Sequence, residues 1–258
     1  MTAAKKYVVA TYITFWLMVL GICGTASMVF HAPPLVMRVL SNVCAWSPTI
    51  VLFVMFKKLL PGMTRVEFLR KSFSGRINPV KLLTGCWLTV CCVLLSVYIA
   101  AVIEKREVGS YFAFGNLSAL PLSVLLSLTS GPTGEELGWR GYLKGELEKK
   151  FSFVGSAVRL GTIWAFWHAV LWFVDSDFSG WAMLVYIISN VIVMISLTLI
   201  MGIVMGKGGN VLCSMAIHFC FNCTYLFLNV GIVFYAVLTV AFALVAAVMT
   251  SIYARSCE

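Results

Sequence analysis

Charge is scarce in this chain. Of 258 residues, 11% are charged and only ten are Asp or Glu, against 61% hydrophobic residues, which leaves too little polar sequence to clothe a soluble domain. Histidine is scarcer still, with three residues. Several local chemical signatures are also absent: no serine or cysteine stands in a recognisable nucleophile elbow, there is no His-Glu-x-x-His, and no glycine-rich phosphate loop precedes a basic residue. A mean hydropathy of +0.96 therefore points to an all-α, polytopic transmembrane helical bundle, a single integral membrane domain over residues 1–258.

The net charge of +9 does not indicate nucleic acid, because the basic residues lie between apolar runs rather than along one polar face. Lipid bilayer is the partner this composition requires. Nine cysteines would staple a small secreted domain, yet Cys23, Cys44, Cys86, Cys91, Cys92, Cys213, Cys220 and Cys223 all fall in apolar runs and read as reduced packing residues. Cys220-Phe-Asn-Cys223 lacks the second cysteine pair of a structural zinc site. Cys257 is penultimate, so the sequence itself does not end in a prenylation box.

Eight spans are expected. Tyr7 to Phe30 is too long for a signal-peptide core, and Leu35 to Phe56 and Leu82 to Ile103 follow. Between the second and third, Lys57 to Lys81 holds seven of the 19 basic residues, with Val66, Phe68 and Phe73 among them, as in an amphipathic stretch on the membrane surface. From Leu117 to Lys150 the pattern is broken by Pro121 and Gly131-Pro-Thr-Gly134 and reads as one discontinuous element. Val154 to Val174, Trp181 to Met205, Val211 to Val230 and Gly231 to Tyr253 complete the set. Fifteen Lys and Arg residues then share the side of the termini, and three (Arg38, Lys105 and Arg106) lie opposite, which puts both termini in the cytoplasm, with the cell membrane the expected host.

Against this background, Glu135, Glu136 and Arg140 stand out. An ionisable residue at membrane depth costs at least about 2.5 kcal/mol on insertion scales, so such groups mark a protein-lined or watered site. On a helix the two glutamates diverge by about 100°. Glu136 lies four residues before Arg140, the spacing of an ion pair, and three after Thr133, the spacing of a capping box. Both give Glu136 a structural role and leave Glu135 to handle a proton. The plainer alternative is a re-entrant turn with one capping acid.

His168 and His218 lie in later apolar runs. Counted along their helices, they and Glu135 sit about 13 to 17 Å from the cytoplasmic ends, within one layer. Trp164 with His168, and His218 with Asn222, are each four apart and share a face. His31 sits at an outer turn beside Pro33 and reads as bystander surface. A glutamate and a histidine can take a proton from water while a second imidazole and an amide stabilise an oxyanion, which describes peptide hydrolysis without a covalent nucleophile. Glu135, His168 and His218 could equally hold zinc with an open fourth position.

The set Glu-Glu-x-x-x-Arg at Glu135, Glu136 and Arg140, aromatic-x-x-x-His at Trp164 and His168, and His-x-x-x-Asn at His218 and Asn222 resembles the type II CAAX prenyl endopeptidase and bacteriocin-processing family (CPBP, or Abi) of intramembrane proteases. The resemblance covers a motif-bearing core of about 115–228. It implies that Glu135 and His168 activate the water, that His218 and Asn222 form the oxyanion site, and that Glu136, Arg140 and Trp164 support them. The family's second motif usually begins with Phe, and Trp164 departs from it. The implied partner is a membrane-associated peptide or protein, prenylated in eukaryotic relatives; bacterial relatives are linked to peptide maturation, immunity and regulation. The implied chemistry runs on glutamate without a cofactor or on zinc. A non-proteolytic membrane regulator or immunity protein keeping the fold is the alternative, and a transporter a remoter one.

Overall fold

The computed structural model describes residues 1–113, 117–206 and 208–255. The expected core boundary at 115, the loop cation at 207 and the penultimate cysteine at 257 lie outside them. Helix is the only regular secondary structure among the described residues, with one isolated bridge between Phe112 and Leu228 in place of any strand. Among the described residues six helices are long and apolar enough to cross a membrane: α1 (Ala3–Met28), α2 (Pro34–Val54), α4 (Pro79–Glu104), α7 (Phe153–Val174), α8 (Gly180–Met205) and α10 (Ile232–Arg255). Between α2 and α4 lies the short helix α3 (Arg65–Phe73).

The other two expected spans are built differently. α9 (Val211–Tyr225) has 15 residues, about 22 Å at 1.5 Å per residue, short of a 30 Å hydrocarbon core. The broken element consists of α5 (Leu120–Thr129) and then α6, residues 131–148, whose middle turn Leu137–Leu143 is π-helical. Ser130 separates the two with φ −76° and ψ −98°. Backbone groups exposed by such a break need partners at membrane depth, and α2 supplies them. Asn42 Nδ2 donates to the Leu126 carbonyl at 3.0 Å, and Trp46 Nε1 to the Thr129 carbonyl at 2.8 Å. Trp46 can reach because α2 itself slips there: Pro48 cannot donate to the carbonyl four residues back, and the chain resumes as Ser47–Val54.

The capping box expected at Thr133 and Glu136 is not formed. α6 begins earlier, with Pro132 in its first turn, so Thr133 is already inside the helix and its hydroxyl donates back to the Thr129 carbonyl at 3.0 Å. A capping box does occur at Thr64 and Glu67, opening α3. There Phe68 is buried and Phe73 half-buried, as an amphipathic helix requires, whereas Val66 points outward, 67% exposed.

α8 runs through the middle of the bundle, packed on α7 and α10; α10 also meets α4, α4 meets α9, and α9 meets the first turns of α6. Residues 198–205 of α8 are buried without interruption. Backbones come close at Gly161, where a Cβ would sit 2.5 Å from the Ile195 Cα, the small-residue contact by which membrane helices pack. On the other side α1 packs on α2, and α2 on α6. The eight cysteines of the apolar runs are free thiols. Reporter fusions after Arg76 and Lys149 are expected to read cytoplasm, and fusions near Lys105 and Asp177 the opposite side; inverted signals would overturn the orientation drawn from the loop charges.

Candidate functional site

The site grows from two irregular turns. In α7 the amide of His168 bonds the carbonyl of Ala165 at 3.0 Å, one residue short of the α pattern. That tightening leaves the Trp164 carbonyl to the imidazole, whose Nδ1 lies 2.9 Å from it. A carbonyl only accepts, so Nδ1 carries the proton, and in the neutral ring Nε2 is left as a free lone pair. In α6 the π-turn carries Arg140, a helix irregularity that recurs at functional sites.

Glu135 and Glu136 are both buried, and they face different neighbours as the 100° divergence requires. Glu136 Oε1 accepts from Arg140 Nη1 at 3.0 Å and from His218 Nδ1 at 2.8 Å. Arg140 Nη2 continues to the Thr198 hydroxyl on α8 at 2.9 Å. The pair is fully dry, with side-chain exposure of 1% and 0%. Glu135 joins none of this chain. Its Oε2 accepts from the Trp164 indole at 2.5 Å, and the same carboxylate borders a cavity of about 60 Å3 shared with His168.

That cavity exceeds the roughly 10 to 15 Å3 of such space that one water needs, and it offers three polar groups, Glu135, His168 and Ser41. The rest of its wall is apolar: Phe15 and Val19 from α1, Ala45 from α2, Trp167 and Leu171 from α7. His218 and Asn222 lie elsewhere, against Gly131. A Cβ at Gly131 would overlap His218 Nε2 and lie 3.0 Å from Asn222 Nδ2, so the pair four residues apart on α9 does share a face, and the start of α6 approaches it only because residue 131 has no side chain.

Trp164 touches Glu135, Arg140, His168 and His218. Besides its indole bond to Glu135, its ring lies under the Arg140 guanidinium at 4.1 Å and meets the His218 ring edge-on at 5.1 Å. No group of three His, Cys, Asp or Glu side chains that could hold a metal occurs among the described residues. Glu135, His168 and His218, the set offered for zinc, do not form such a group.

Sequence reasoning missed Ser41, Thr198 and Gly131, and the walls given by α1 and α2. Ser41 and Thr198 carry no local motif, and nothing in an apolar run marks which residue faces a cavity. Gly131 had a signal, the Gly-Pro break, which was legible as a break alone.

Comparison with known proteins falls on this same region. Residues 117–224 match the family described as type II CAAX prenyl endopeptidase, Rce1-like. Over 137 residues the chain is 26% identical to CAAX prenyl protease 2 of Methanococcus maripaludis; the aligned part is 51% of this chain and 49% of that protein, so the chain spans about half the length of the curated relative it matches. The matched segment contains Glu135, Glu136, Arg140, Trp164, His168, His218 and Asn222.

The two glutamates should separate in stability. Arg140→Ala leaves the Glu136 carboxylate without its cation partner, and breaking a buried pair from one side costs about 3 to 5 kcal/mol. Thermal melts in mild detergent should show that loss, and Glu136→Gln with Arg140→Met should recover part of it, since the new amide oxygen still accepts from His218 Nδ1. Glu135→Gln should melt near the parent. A melt in which Glu135→Gln is the damaged variant would reverse the structural assignment.

Proposed function

From a segment of the Rce1-like type II CAAX prenyl endopeptidase family at residues 117–224, we propose that this integral membrane protein is an intramembrane endopeptidase in which Glu135 and His168 activate a water. The observation that carries the reading is the water-sized cavity that Glu135 and His168 both line, together with the Nδ1 contact to the Trp164 carbonyl that leaves Nε2 as the basic nitrogen of the ring.

In this reading a water in the cavity gives its proton to His168 Nε2 or to Glu135, and the hydroxide forms a bond to the carbonyl carbon of a peptide. The carbonyl oxygen takes the displaced electron pair. His218 and Asn222 donate to it from beside Gly131, against which His218 Nε2 and Asn222 Nδ2 both lie. His218 already donates its Nδ1–H to Glu136, so donation from Nε2 as well requires the imidazolium. Collapse of the intermediate breaks the C–N bond, and the proton held by the base passes to the leaving amine. Arg140 keeps Glu136 anionic through this cycle.

The substrate class is a membrane-associated peptide or protein whose cleavage site reaches the polar layer, prenylated or not. The cell membrane is the proposed location, with both termini cytoplasmic. Purified protein in detergent or vesicles should cut members of a membrane-embedded peptide library, with prenylated CAAX peptides as one arm and a chelator as another. No cleavage in any arm would favour the non-proteolytic regulator; loss on chelation would replace the cofactor-free mechanism.

Glu135→Ala and His168→Ala should each lower kcat by about 10² to 10⁴, as removal of a positioned acid–base group does. The double variant should be little worse than either single one, because groups that serve one water fail together. A multiplicative loss would separate them. Gly131→Ala should also lower kcat while the protein still inserts, by pushing the His218 ring from its place; unchanged turnover would remove the His218 and Asn222 pair from the reaction.

A further inference from the structure

We propose that Trp164 is the positioning residue for the water-activating carboxylate, an inference that rests on the hydrolytic reading above. Glu135 is 3% exposed and takes no part in the Arg140–Glu136–His218 chain. A buried carboxylate needs a strong donor in place of water. The donor that reaches it is the Trp164 indole, 2.5 Å from Oε2, a charge-assisted hydrogen bond that is short and directional. With Oε2 held, Oε1 is the oxygen left for a water in the cavity.

The same residue fixes the partner base. Its carbonyl accepts the His168 Nδ1 proton at 2.9 Å, which sets the tautomer with Nε2 basic. One residue thus orients both groups from opposite ends, side chain to Glu135 and main chain to His168. The indole is itself clamped, between the Arg140 guanidinium on its face and the His218 edge, and it is 1% exposed. Rotation of Glu135 is therefore tied to a side chain that has no room to turn. Alignment of this kind enters the rate through the geometry of attack, not through the affinity for substrate.

Trp164→Phe tests this, since the benzyl ring keeps most of the packing and removes the N–H. The variant should melt near the parent, keep KM within about twofold, and lose about 10- to 100-fold in kcat, the usual range for groups that orient a reacting side chain. In the Glu135→Gln background the same substitution should cause no further loss in the residual rate, whereas a packing role would multiply the two defects. Independently of turnover, indole ¹⁵N-labelled protein should show a Trp164 Nε1–H resonance, assigned by its absence in Trp164→Phe, that moves upfield in Glu135→Ala.

The outcomes separate the two levels. Cleavage by the parent with an unchanged kcat in Trp164→Phe overturns the positioning role and leaves the proposed function standing. An indole resonance indifferent to Glu135→Ala overturns it as well. If the parent cleaves nothing while the resonance does move, the hydrolytic reading has failed first, and the indole bond is only a means of burying a carboxylate.

Discussion

The bundle depends on a single dry run of charge: Thr198 to Arg140 to Glu136 to His218. It links α8, α6 and α9 through side chains that are almost wholly removed from solvent. Each charge taken alone into hydrocarbon would be prohibitive, and the arrangement persists because every member is held by the next. Its geometric effect matters more than its net energy. A guanidinium fork and an imidazole can share one carboxylate oxygen in few ways, so the chain fixes the rotation of α6 about its axis. Glu135, one residue earlier, is thereby turned to the other side.

Much of this was legible in residue spacing. The i, i+4 relation of Glu136 and Arg140 predicted the pair observed at 3.0 Å, because on a helix that spacing fixes distance whatever the rest of the fold does. The same rule placed His218 with Asn222. The all-α membrane class followed from composition alone. What spacing could not carry was anything set between helices. The contact of His218 with Glu136 spans 82 positions, and the apolar walls of α1 and α2 have no pattern beyond hydrophobicity. Local expectation failed at Thr133, where a sequence fitting a cap lies inside a helix that starts two residues sooner, because Pro132 suits a first turn as well as it breaks a chain.

The irregular backbone is concentrated where the polar groups are. The slip of α2 at Trp46, the break at Ser130, the π-turn of α6 and the tightened turn at His168 lie on the three elements that surround Glu135. Regular helices would satisfy their own main chains and leave little for side chains to do. Here Asn42, Trp46, Thr133 and His168 all bond main-chain carbonyls on or beside those irregular turns. The polar layer and the backbone breaks are one construction, each supplying what the other lacks.

The cavity beside Glu135 is about 60 Å3, whereas sites that enclose a ligand run roughly 300 to 1,000 Å3. That is room for water beside Glu135 rather than for an enclosed ligand. Its wall toward the N-terminal half is Phe15, Val19, Ser41 and Ala45, on helices whose outer surfaces are apolar and exposed, as at Leu17, Leu20 and Val39. These two helices stand between the carboxylate and the apolar surface that they present outward. A peptide coming from lipid on that side would therefore meet hydrocarbon side chains before it met the charge.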